Sequence, residues 1–220
     1  MTISDERIYK LLREYITGGL AAVFHRENIA GKTRINELTY DEKQNKVISY
    51  DNENVTTHVF ALDGNSLYPS SYSSVKNENI PYTDHRIYMA GRSRFYSEKP
   101  YVKKNCIDQR QDIFVAKVKG YFPKSEYNNL LPLPPIFRNI EIENKKEAIG
   151  ECMYSQAQKN SLRMTKKDRK LTTLLDTNGQ FMAFNNYYIL LLIDLGFNIT
   201  DYKAIAVFEK KGHMSLSLGR

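Results

Sequence analysis

Tryptophan is missing from the 220 residues, and cysteine nearly so, with only Cys106 and Cys152. Two cysteines without a CxxC spacing exclude a disulfide framework and a cysteine zinc site, and read as ordinary thiols. Histidine is sparse as well. His25, His58, His85 and His213 stand far apart with no HxH or HxxxH spacing, which argues against a histidine metal site. No apolar run is long enough to span a bilayer. The N-terminus, MTISDERIYKLLREYI, is charged throughout and lacks the apolar centre of a secretory signal. These absences predict an intracellular, reducing setting without a membrane partner, so the sequons at Asn54 and Asn198 are sequons in form only. One missing glycine excludes a phosphate-binding loop. AGKT at 30–33 ends like one, but Arg26 stands where its first glycine is needed.

What is abundant is positive charge and tyrosine. The net charge is +7, the sequence pI is about 9.2, and there are 16 tyrosines. A basic balance favours an anionic partner, nucleic acid being the commonest. Tyrosines interleaved with cations suit stacking on bases and contacts to phosphates, and suit a wet surface equally well. The segment Arg86 to Lys104 concentrates this pattern and is expected to contact phosphates.

The spacing predicts a helix over 4–18, capped by Ser4 and stopped at Gly18, with Ile8, Leu11, Leu12 and Tyr15 on one face. A polar connector is expected from Arg26 to about Asn45. HVFALD (58–63) reads as a buried strand, and 74–111 as polar and irregular. DIFVAKVKGYF (112–122) reads as a strand, followed by the proline-rich LLPLPPIF. GQFMAF, NNYYILLLIDLGFNI and DYKAIAVFEKK read as strand, helix and strand, with Asn185 or Asn186 capping the helix and Gly196 stopping it. Without a regular βαβ rhythm, this favours an α+β fold. The basic run TKKDRK (165–170) reads as a solvated charge run or as a phosphate contact.

Asp63 is the candidate for chemistry. It closes the apolar run, and Asn65 and Ser66 then turn the chain toward a helix. A carboxylate there could bind a hard cation, and the backbone N–H groups of the turn could face a triphosphate. The bland alternative is a strand-to-helix turn with Asp63 as a local hydrogen-bond acceptor.

LDGNSLYPSS (62–71) resembles motif A of family B DNA polymerases, D-x-x-S-L-Y-P-S, and is most similar to the protein-primed branch of viruses, linear organellar plasmids and Polinton-type transposons. GGLAAVF is similar to the R-G-G-I/F segment those proteins carry upstream. DIFVAKVKGYFP…LLPLPP is similar to their strand and PLAP segment, and 154–209 to the stretch that follows. The resemblance implies a DNA-directed DNA polymerase that adds dNTPs to a primer hydroxyl by a two-metal mechanism with Mg²⁺. It implies that Asp63 is the catalytic acid and, with the Gly64 carbonyl, a metal ligand. Ser66 and Leu67 would lie by the incoming nucleotide, and Tyr68 would select the deoxy sugar. Gly18 and Gly19 would contact DNA, with Lys166, Lys167, Arg169 and Lys170 as further candidates for template or primer. A priming terminal protein is an implied partner, and a linear-plasmid origin would imply mitochondria.

The chain departs from the pattern in places. Tyr15 is one residue too far from the glycine pair for Y-x-G-G, so only the glycines carry over. No K-x-x-x-N-S-x-Y-G (motif B) or D-T-D (motif C) follows, and Asp176-Thr177-Asn178 lacks the second acid. The expectation is therefore a partial palm, an antiparallel sheet with helices, plus a strand-helix-strand insertion. Residues 1–20 would form a connector helix and Gly-Gly turn, 21–112 a partial palm with motif A, and 113–220 the rest of the palm and the insertion. The isolated chain is expected to be inactive. The alternatives are a non-catalytic nucleic-acid-binding remnant and an unrelated basic α+β domain with a chance turn.

Overall fold

In the segment IFVAKVKGY, small and apolar residues alternate with a second series that includes two lysines. The computed structural model, which describes residues 5–14, 16–21, 27–73, 80–97, 113–162 and 167–212, makes it a strand, β4 (Ile113–Tyr121). Phe114, Ala116 and Val118 are fully buried on one face, while Val115, Lys117 and Lys119 lie on the other.

Along the chain, α1 (Glu6–Glu14) is followed by a hairpin of β1 (Arg34–Asp41) and β2 (Lys46–Val55). Next come α2 (Leu67–Ser73), β3 (Ile80–Met89), α3 (Ala90–Ser97) and β4. After β4 lie the short helix α4 (Tyr127–Leu130), β5 (Ile136–Glu143), α5 (Lys146–Ile149), α6 (Glu151–Lys159) and β6 (Lys167–Leu174). The last elements are β7 (Met182–Asn185), α7 (Asn186–Asp194) and β8 (Asn198–Gly212). The central sheet is antiparallel in the order β3-β8-β4-β7, and β5 and β6 form a separate antiparallel ribbon. The fold is α+β, as the sequence predicts.

The core lies on the Phe114 face of the sheet. Phe114, Val118, Ile205 and Val207 pack there with Ile189 and Leu192 of α7, with Phe122 and Phe197, and with Tyr96 of α3. On the other face α1 seats Ile8 against Ile113, Ala206 and Phe208, with Leu11 and Leu12 at its flanks. The β1–β2 hairpin is held by Tyr40, whose N–H donates to Asn128 Oδ1 at 2.7 Å and whose ring meets Tyr127 edge-on at 4.7 Å.

Helix α7 forms as the sequence predicts. Asn185 accepts from the Tyr188 N–H at 2.8 Å. At the other end Gly196 takes φ +93°, so its own N–H and that of Phe197 reach back to Ile193 and Leu192. Strands β4, β7 and β8 also stand where expected.

Other expectations are corrected. Helix α1 starts from Asp5, whose Oδ1 accepts from the Arg7 and Ile8 N–H groups, and it ends at Glu14 rather than near Gly18. Ser4 and Tyr15 lie outside the described residues. The expected connector before Asn45 contains β1, and the stretch after Ser74 contains β3 and α3. The two strands are specified by long-range pairing with β2 and β8, which local composition does not reveal. The largest correction concerns HVFALD. Residues 56–64 form neither strand nor helix, and Val59, Phe60 and Leu62 are 71%, 81% and 95% exposed. An apolar run becomes a strand only where its backbone groups find a partner edge, and none of the described strands pairs with it.

Gly120 marks the tightest place in the sheet. A Cβ there would lie 2.3 Å from the Asn198 carbonyl oxygen and 2.5 Å from the Phe197 ring. Gly120→Ala is expected to lower stability by about 1–3 kcal/mol through forced movement of backbone and ring. Urea unfolding followed by circular dichroism checks this, and an unchanged midpoint would contradict the packing described.

Candidate functional site

The segment 62–71 is built around a turn. Asn65 and Ser66 reverse the chain, and Ser66 takes φ +48°, a left-handed conformation that costs a non-glycine residue about 1–2 kcal/mol. Helix α2 starts immediately afterwards. The Ser70 N–H donates to the Ser66 carbonyl, and Ser70 Oγ to the Leu67 carbonyl, both at 2.8 Å. Pro69 is tolerated because it sits in the first turn.

Asp63, Gly64, Leu67 and Tyr68 are all exposed. Among the described residues no donor or cation is paired with the Asp63 carboxylate. The structure does bring one distant pair together. A Cβ on Gly19 would lie 3.8 Å from the Tyr68 hydroxyl, so Gly19 lies beside the start of α2.

The donor set around Asp63 is one carboxylate and one backbone carbonyl. Two-metal catalysis needs carboxylates that clamp two ions together. Among the described residues no group of three or more His, Cys, Asp or Glu side chains comes together. These residues therefore do not by themselves fit the two Mg²⁺ ions that the resemblance implies. Asp176 is engaged elsewhere: its Oδ1 accepts from the Asn178 N–H at 2.6 Å within a turn. The adjoining Thr177 is buried and bridges to Gly120 through its backbone N–H and its hydroxyl.

The basic run lies in a strand. Lys167, Arg169 and Lys170 belong to β6, paired with β5, while Lys166 lies outside the described residues. Lys167 faces Glu141 at 3.7 Å. In the segment expected to contact phosphates, Arg92 lies 5.6 Å from the ring centroids of Tyr88, Phe95 and Tyr96. Residues 98–104 lie outside the described residues.

Sequence reasoning misses a cleft of about 510 Å³ between the β5–β6 ribbon and β7. Its walls include Arg138 and Arg169 from the ribbon, Gln180 and Phe181 before β7, and Phe184 and Tyr188 beyond them. Arg138 donates to Gln180 Oε1. Lys119 and Lys203 place their ammonium groups 4.5 and 5.6 Å from the Phe181 ring centroid. Burial pushes the Tyr188 phenol up, so it stays a neutral donor, and its hydroxyl bonds the Pro135 carbonyl. The sequence signal was the lysine series of β4, but its convergence with residues 138, 169 and 181 needs the fold. Comparisons with protein-family models, with curated proteins and with solved structures find no match.

The exposure of residues 59–68 has a direct consequence. Limited chymotrypsin digestion is expected to cut first after Phe60 or Leu62, well before Phe114 or Phe122. N-terminal sequencing of the first fragments checks this, and protection of 59–62 in the folded chain would show that the run is paired after all.

Proposed function

We propose that this chain is the motif-A-bearing part of a protein-primed family B DNA-directed DNA polymerase. Its substrates would be dNTPs and a primer-template, and its reaction nucleotidyl transfer to the primer hydroxyl. The observation that carries this reading is the approach of Gly19 to Tyr68. Gly19 and Tyr68 belong to two segments that separately resemble the family and are far apart in sequence. A chance decapeptide gives no reason for that meeting.

Within this reading Asp63 supplies one of the two acids needed. Tyr68, exposed beside the turn, would lie under the sugar and leave no room for a 2′-hydroxyl, the group that separates RNA from DNA. A second reading, a non-catalytic nucleic-acid-binding domain, is favoured by one observation. Two arginines and four aromatic rings line the β5–β7 cleft, which shares no lining residue with the Asp63 turn.

Primer extension tests the first reading. The 220-residue chain alone is expected to give no extension. In a chain that also carries the downstream K-x-x-x-N-S-x-Y-G and D-T-D segments, Asp63→Asn is expected to lower single-nucleotide incorporation by roughly three orders of magnitude, because a metal clamp contributes several kcal/mol. Tyr68→Ala is expected to keep synthesis and relax discrimination against rNTPs. A near-normal rate in the first variant, or unchanged sugar preference in the second, would overturn the assignment.

A further inference from the structure

We propose that the cleft between the β5–β6 ribbon and β7 binds a single, unpaired nucleic-acid strand, with Phe181 as its stacking surface and Arg138 and Arg169 as its phosphate contacts. The proposal is independent of the polymerase reading, since it uses neither Asp63 nor a metal.

Charge selects the class of ligand. Two guanidinium groups line the cleft, and two ammonium groups stand over Phe181. The carboxylates nearby are matched. Glu14, on the cleft wall, bonds Lys117 at 2.9 Å, and Asp201 lies 3.8 Å from Lys119. Glu141, opposite Arg169 across the ribbon, lies near Lys167. Among the described residues Arg138, Arg169 and Lys203 remain as the excess, which favours a polyanion. Guanidinium groups suit phosphate oxygens because their planar fork donates two parallel bonds.

Geometry selects the strandedness. Stacking on a ring requires an exposed base face, and a duplex hides its base faces in its own stack. The cleft also offers the neutral amide of Asn139, and the Gln180 amide nitrogen beside the oxygen that accepts from Arg138, to the edge of a base. Among the described residues β7 is the last strand of its sheet, and no described strand pairs with its outer side. Its volume, about 510 Å³, is that of a small-ligand cleft, enough for a short stretch of strand rather than a long track.

The test is fluorescence polarisation of a short labelled oligothymidylate with the full 220-residue chain, in EDTA and without dNTP, over a range of salt. A duplex of the same length is the competitor. Single-strand binding is expected to be the tighter of the two. The double variant Arg138→Ala, Arg169→Ala is expected to lose at least about tenfold in affinity. Its slope of log affinity against log salt should be shallower by about 1.4, two contacts at roughly 0.7 each for single strands. Phe181→Leu is expected to weaken binding by about tenfold at an unchanged salt slope, because stacking releases no counterions. The pair Lys46→Ala, Lys159→Ala removes the same charge from exposed sites elsewhere and is expected to change affinity by less than about twofold. Arg138→Lys with Arg169→Lys is expected to restore the slope, and guards against a folding defect in the alanine pair. Asp63→Asn is expected to bind as the parent does, so failure of the polymerase reading leaves this result standing. An unchanged slope in the alanine pair, an equal loss in the Lys46/Lys159 control, or duplex binding as tight as single-strand binding would overturn the proposal.

Discussion

The pairing of β4 with β8 is the constraint on which the rest depends. It joins residues 113–121 to 198–208 in antiparallel register, with Phe114 opposite Val207 and Ala116 opposite Ile205. That register puts Phe114, Val118, Ile205 and Val207 on the core face and holds Lys117, Lys119 and Lys203 on the cleft side. A slip of one residue would exchange the two sets. Gly120 lets the Phe197 ring and the start of β8 close over the end of β4. α1, α3 and α7 are then placed by the faces that this pairing creates.

What was legible in the sequence is what neighbouring residues decide. The ends of α7 are set by Asn185 and Gly196, each acting within one helical turn. β4 was legible as an apolar run, Ile113 to Ala116, that passes into alternation with Lys117 and Lys119. β1 and β3 were not, because what makes them strands is β2 and β8, reached through space. HVFALD shows the converse failure. Its residues favour a strand, yet propensity without an edge to pair with leaves Phe60 and Leu62 in water. TKKDRK read as a charge run for the same reason, since only the register with β5 reveals Lys167–Lys170 as a strand.

The candidate residues divide into two groups. Asp63, Gly64, Ser66, Leu67 and Tyr68 form one exposed turn and helix start, with Gly19 alongside. That group was visible from the sequence because its residues are contiguous. The second, formed by Arg138, Arg169, Phe181 and the lysines over it, comes from four separate strands and the segment before β7. Only Arg169 of that set stood out beforehand, and for its charge alone. The first group has the pattern of chemistry without a second acid. The second has the charge and rings of a polyanion site without needing any acid.

Photo-crosslinking tests the account most directly. A single-stranded oligonucleotide carrying a photoreactive thymine analogue is irradiated with the intact chain, and the modified peptides are identified by mass spectrometry. The account predicts adducts on the peptide containing Phe181–Tyr188, with a lesser yield on the one containing Phe137. Adducts confined to the β1–β2 hairpin, or to the Arg86–Phe95 segment of β3 and α3, would contradict it.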